Sequence, residues 1–250
     1  MRGSIALFSL LAACSQQQPH VTVAALAPIA SSAPPAVSAP PAPPPEPAKV
    51  ERVDVPKDSA ASFVRGAPGT STHVVFMPGV CSNAYAYLLS FPEAARAHGG
   101  VVAIDGDEPC PGVKGFHSFS WNPTLQRARI EAALAAANVP VPADGLTLVG
   151  YSAGASIAEL MHQRWPKLFP RLVLIAPPVD PSVARLRDAR AVALMSCSWD
   201  VPYRMKAAAT ALGKVHVPAT YLEMPKCTHG NIADGEHVFG EAFDWLDSQP

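Results

Sequence analysis

At Gly150-Tyr151-Ser152-Ala153-Gly154 a serine stands between two glycines, each two residues away. The apolar run 146–149 before it reads as a strand, and residues 153–165 after it read as a helix. A serine on so sharp a strand-to-helix turn is strained, and side chains two residues to either side would collide, so both positions want glycine. The turn projects the Ser152 hydroxyl above the sheet, and the helix N-terminus beneath it favours developing negative charge. A hydroxyl is a poor nucleophile; it needs a base, itself oriented by an acid. In the architecture that such an elbow implies, these partners are expected at the ends of later strands, acid first and then histidine. Asp200 follows the strand run 191–195 in Ser196-Cys197-Ser198-Trp199-Asp200. His229 follows the last strand run, 219–223, in Met224-Pro225-Lys226-Cys227-Thr228-His229-Gly230. Asp180, after the run 171–175, is the alternative acid; beside Pro181 it also reads as a helix cap. Of the seven other histidines only His117, in Gly115-Phe116-His117-Ser118 near the expected mouth, is placed to touch a substrate.

The elements that must hold these residues alternate. Strands are expected at 50–55, 61–64, 72–77, 101–105, 146–149, 171–175, 191–195 and 219–223. Helices are expected at 92–98, 124–138, 153–165, 181–189, 202–212 and 236–246. Asn122-Pro123 supplies a cap and a first-turn proline for the second of these. Strands rich in Val, Leu and Ile, alternating with helices, imply a parallel sheet covered on both faces, an α/β domain.

The GYSAG turn, the Asp200 loop and the Thr228-His229-Gly230 turn together resemble the α/β-hydrolase family, from about residue 50 to residue 246. The resemblance implies a mostly parallel central sheet of about eight strands flanked by helices. It assigns Ser152 as nucleophile, His229 as base and acid catalyst, and Asp200 as the orienting carboxylate. It places an oxyanion hole at the backbone N–H groups of Ala153 and Val80. The loop that carries Val80, Met77-Pro78-Gly79-Val80-Cys81, has proline where many hydrolases have histidine. Residues 176–190 hold only a short helix, so no substantial lid domain is expected and the site should lie open. Four cysteines, Cys81, Cys110, Cys197 and Cys227, allow three disulfide pairings. The strand neighbours of the implied fold favour Cys81 with Cys110 and Cys197 with Cys227; buried free thiols are the alternative. The activity implied is hydrolysis of a short-acyl or surface-exposed ester through an acyl-serine. Alternatives are a thioesterase, a polysaccharide deacetylase-type esterase or a peptidase of the same fold, or a catalytically silent surface-binding lipoprotein. No cofactor is implied. Cys197, Cys227 and His229 lack the fourth ligand and the spacing of a zinc site, so no metal is expected either.

The N-terminal fifth is different material. Eleven of the 28 prolines fall between Pro19 and Pro56, whereas 17 of the 18 aromatics lie from Phe63 onward. Residues 1–14, MRGSIALFSLLAAC, combine Arg2, an apolar core and Leu11-Ala12-Ala13-Cys14, which resembles the lipobox of a bacterial lipoprotein signal peptide. Cys14 is then the lipidation site. The protein is expected to be exported to the cell envelope and anchored in a membrane, with the outer membrane as a destination. Residues 15–48 read as an Ala/Pro/Ser-rich disordered tether, and 49–250 as the catalytic domain. The formal net charge of −1 provides no basic surface for nucleic acid. The sequence is silent on oligomeric state.

Overall fold

The computed structural model describes residues 46–250. The expected signal peptide, the Cys14 site and nearly all of the tether lie outside them. One compact unit spans Pro45–Pro250. Ala48 N–H donates to Glu93 Oε1 and ties down the start of the described segment.

Among the described residues ten strands form in chain order: β1 (Val50–Val53), β2 (Ala61–Arg65), β3 (Val74–Met77), β4 (Gly100–Ala103), β5 (Glu108–Pro109), β6 (His117–Ser118), β7 (Thr147–Tyr151), β8 (Arg171–Ile175), β9 (Ala191–Cys197) and β10 (Ala219–Met224). The helices are α1 (Ala84–Leu88), α2 (Pro92–Ala97), α3 (Pro123–Ala136), α4 (Ala153–Arg164), α5 (Val183–Leu186), α6 (Pro202–Lys214) and α7 (Gly235–Asp247). Eight strands make one sheet in the order β1-β2-β4-β3-β7-β8-β9-β10. β2 runs antiparallel to both β1 and β4, and every other pairing is parallel. A separate ribbon pairs β5 with β6.

Side-chain alternation explains the layering. Along β3, Val75 and Met77 join the core under α3, α4 and α6, while Val74 and Phe76 join the core under α1, α2 and α7. Leu148 and Val149, Leu172 and Val173, and Val192 and Ala193 divide in the same way. Strands buried on both faces have no polar side to show, and that is why their sequences are continuously apolar.

The chain steps from β3 outward to β4 and then returns across β3 to β7. Such a reversal leaves a crevice beyond the carboxyl ends of the two inner strands, where α/β sheets place their ligands. Residues 78–83 leave β3 at that point, and Ser152 leaves β7.

Three elements differ from expectation. α1 was not anticipated; it is capped by Asn83, whose side chain accepts from Ala86 N–H. The β5–β6 ribbon was not anticipated either. The helix expected over 181–189 is only the single turn α5, and its cap is Ser182, accepting from Arg185 N–H, not Asp180. With four helical residues there, the connection holds no lid.

Candidate active site

Ser152 sits at φ 52°, ψ −117°, a conformation that L side chains rarely adopt. Its neighbours enforce it. A Cβ on Gly150 would lie 2.4 Å from Ala155 Cα, and one on Gly154 would lie 2.2 Å from Met77 O and 2.4 Å from Pro78 O. Both glycines are therefore required by close backbone approach, as the sequence spacing implied. Gly79 lies over the serine, with its Cβ position 3.0 Å from Ser152 Cβ. The turn is pinned to the next strand by the Ser152 N–H to Ile175 O bond at 2.8 Å.

Asp200 and His229 reach Ser152 from the ends of β9 and β10. Ser152 Oγ is 3.0 Å from His229 Nε2, and His229 Nδ1 is 2.7 Å from Asp200 Oδ2. The carboxylate is largely shielded and the imidazole is half-exposed. Because a carboxylate can only accept, Nδ1 carries the proton and Nε2 faces the hydroxyl as an acceptor. The two loops are laced together: Ser198 N–H donates to Met224 O, Trp199 N–H to Cys227 O, and Lys226 N–H to Ser198 Oγ. A Cys197–Cys227 disulfide joins them covalently.

No family model and no curated protein matches the chain. Solved structures do match. A carboxylesterase, CesB, from Bacillus subtilis aligns at 12% identity with a TM-score of 0.56, covering 81% of this chain and 92% of its own. A Bacillus cereus carboxylesterase aligns at 17% identity and TM-score 0.56, covering 77% and 94%. FphF, a fluorophosphonate-binding serine hydrolase of Staphylococcus aureus, aligns at 10% identity and TM-score 0.56, covering 80% and 99%. The chain has the α/β-hydrolase fold.

In this α/β-hydrolase fold the loop after β3 faces the elbow. Ala153 N–H opens α4, where no intrahelical acceptor exists. Val80 follows Gly79, which overlies Ser152, and among the described residues neither Ala153 N–H nor Val80 N–H has a protein acceptor. The Val80 loop is held from behind by three contacts. Cys81 is bonded to Cys110, Cys81 N–H donates to Ser118 Oγ at 3.1 Å, and Ser82 exchanges both backbone bonds with His117. His117 thus serves the loop through its backbone in β6.

Asp180 is not brought to the histidine. Its carboxylate is well exposed and accepts from Arg204 Nε at 2.5 Å.

Two tyrosines that the sequence reading passed over hold the histidine loop. Tyr151 Oη accepts from Gly230 N–H at 2.6 Å, and Tyr87 Oη donates to Gly230 O at 3.1 Å. Gly230, the residue after His229, is therefore gripped at both its N–H and its C=O. The two rings lie 5.2 Å apart, and the Tyr151 ring lies 5.4 Å from the His229 ring. Burial pushes both phenols above their ordinary range, so both keep their protons. Tyr151 occupies the first variable position of the GxSxG turn, the one available signal. Tyr87 lies in the unanticipated α1.

Proposed function

We propose that the protein is a serine hydrolase that cleaves an ester through an acyl-serine intermediate. The observation that carries this reading is the hydrogen-bonded line Asp200–His229–Ser152, with the serine raised on a backbone turn that only flanking glycines permit. In the first half-reaction His229 Nε2 takes the Ser152 proton as Oγ attacks the acyl carbon. Negative charge develops on the carbonyl oxygen within reach of the Val80 and Ala153 N–H groups. His229 then gives the proton to the departing alcohol oxygen as the C–O bond breaks. Water, deprotonated by His229, attacks the acyl-serine and releases the acid. Asp200 keeps the imidazole in the productive tautomer and stabilises the imidazolium. The carboxylesterases and the fluorophosphonate-binding hydrolase among the structural neighbours support ester cleavage by this fold.

The lidless connection after β8 and the strongly exposed Trp199 and Tyr203 beside Asp200 support an open site for a short-acyl or surface-exposed ester. We further propose export and a lipid anchor at Cys14. This rests on Leu11-Ala12-Ala13-Cys14 and on two disulfides of the kind that persist in oxidising compartments.

The test is the choice of acid. Asp200→Asn is expected to lower kcat on p-nitrophenyl acetate by on the order of 10³–10⁴, and Asp180→Asn to leave it within about twofold, since exposed ion pairs contribute little. The opposite ranking would overturn the assignment.

A further inference from the structure

A cleft of about 340 Å³ opens between α1 with the loop before it and the histidine loop. Its wall includes Ser82, Tyr87 and Ser90 on one side and Gly230 and Asn231 on the other, with Phe116 at its edge. Neither Ser152 nor His229 is in its wall; the cleft adjoins them through Gly79 and Gly230. The Cβ position of Gly79, 3.0 Å from Ser152 Cβ, is 3.4 Å from Ser82 Oγ, and Gly230 directly follows His229.

The hydrogen bonds of this wall are directional. Ser82 Oγ donates to Val80 O, Ser90 Oγ donates to Tyr87 O, and Tyr87 Oη donates to Gly230 O, at 3.2, 2.6 and 3.1 Å. A carbonyl cannot donate, so in each of these three bonds the hydroxyl gives its proton and its oxygen keeps lone pairs. Asn231 Nδ2 is turned to Thr228 O and Oγ1, which leaves Oδ1 as a further acceptor. Among the described residues no charged side chain lines the space. Asn83 adds an amide to this uncharged wall, and hydroxyl groups, which both donate and accept, are the uncharged groups that meet several such oxygens and an amide at once. Phe116, partly exposed, adds an apolar face. At about 30 Å³ per water-sized group the volume holds roughly eleven such groups, the size of one sugar ring.

We propose that this cleft receives the alcohol half of the ester and that this alcohol is a sugar or a polyol of similar size. The assignment rests on the serine-hydrolase reading, because it places the leaving oxygen beside His229 Nε2.

The experiment compares kcat/KM of the full chain on ethyl acetate, on a methyl pyranoside monoacetate and on an acetylated oligosaccharide, with p-nitrophenyl acetate as the reference for acyl transfer. The pyranoside ester should exceed ethyl acetate by on the order of 10²-fold, the factor that three uncharged hydrogen bonds supply. Ser90→Ala, which removes one acceptor, should shrink that ratio about five- to tenfold. Preference for the oligosaccharide supports a polymeric source and equal rates a small sugar ester; either supports the polyol assignment. Cleavage of p-nitrophenyl acetate with a pyranoside-to-ethyl ratio near one would overturn the cleft assignment while leaving the hydrolase reading intact. Absence of p-nitrophenyl acetate cleavage would overturn both.

Discussion

Replacing Gly154 by alanine tests the site through its tightest contact. The added Cβ would begin 2.2 Å from Met77 O, and contacts below 3.0 Å are essentially never tolerated, so α4 and the end of β3 must separate by about 0.8 Å. The obstacle is backbone on both sides, and no side chain can swing away. α4 carries Ala153 N–H and follows directly on Ser152, while β3 leads into the Val80 loop, so the separation widens the gap between the two proposed oxyanion donors. It also moves Oγ relative to His229 Nε2. Overpacking of this kind costs about 1–3 kcal/mol, and in a domain of this size each kcal/mol lowers Tm by roughly 2–4 °C. The kinetic effect should be larger, because misplacement by about 1 Å costs on the order of 10²-fold. Calorimetry and p-nitrophenyl acetate kinetics on the same preparation separate the two. A folded Gly154→Ala protein with wild-type kcat would refute the claim that this contact sets the site's geometry.

Other perturbations address the supports around it. Tyr151→Phe keeps the ring against His229 but leaves Gly230 N–H without its acceptor, a loss of about 1–2 kcal/mol; kcat should fall with KM little changed, and an unaltered kcat would show that the clamp does not position the histidine. Serine at both Cys197 and Cys227 opens a loop of sequence separation 30 and should cost about 3–4 kcal/mol, with activity falling as the Asp200 and His229 loops part; unchanged Tm and kcat would count against the staple. His162 is buried, donates from Nδ1 to Phe169 O at 2.7 Å and is pushed by burial below the ordinary imidazole value of 6.5. The unfolded chain therefore takes up a proton before the folded one does, and stability should decline as pH falls below 6.5. The stability advantage of wild type over His162→Phe should accordingly shrink between pH 7.5 and pH 5, and an advantage that grows on acidification would contradict this.

What the sequence conveyed depended on how local each signal was. The elbow was readable because its requirement is local: Gly150 and Gly154 are excluded from bearing side chains by Ala155 and by the end of β3, both within the strand–turn–helix unit and its neighbour. Asp200 and His229 were readable because parallel strands put their carboxyl ends on one edge, and the same edge brings the cysteine pairs together. α1 was not readable: five residues offer no period, and only Asn83 announces it. Two residues per strand make the β5–β6 ribbon invisible to alternation, and the Ser118 and disulfide contacts that brace the loop beside it are tertiary. The grip of Tyr87 and Tyr151 on Gly230 joins three segments far apart in sequence, so no spacing rule could reveal it. Asp180 misled as a cap because Ser182, two residues on, occupies that position and Arg204 takes the carboxylate.

The central claim is that Ser152 is the nucleophile, activated through His229. Intact-protein mass spectrometry with peptide mapping after reaction with a fluorophosphonate tests it most directly. One adduct on Ser152 is expected in the wild type, none in Ser152→Ala, and labelling slowed by at least about 10²-fold in His229→Ala. Equal labelling of wild type and Ser152→Ala, or an adduct mapped to another residue, would contradict the account.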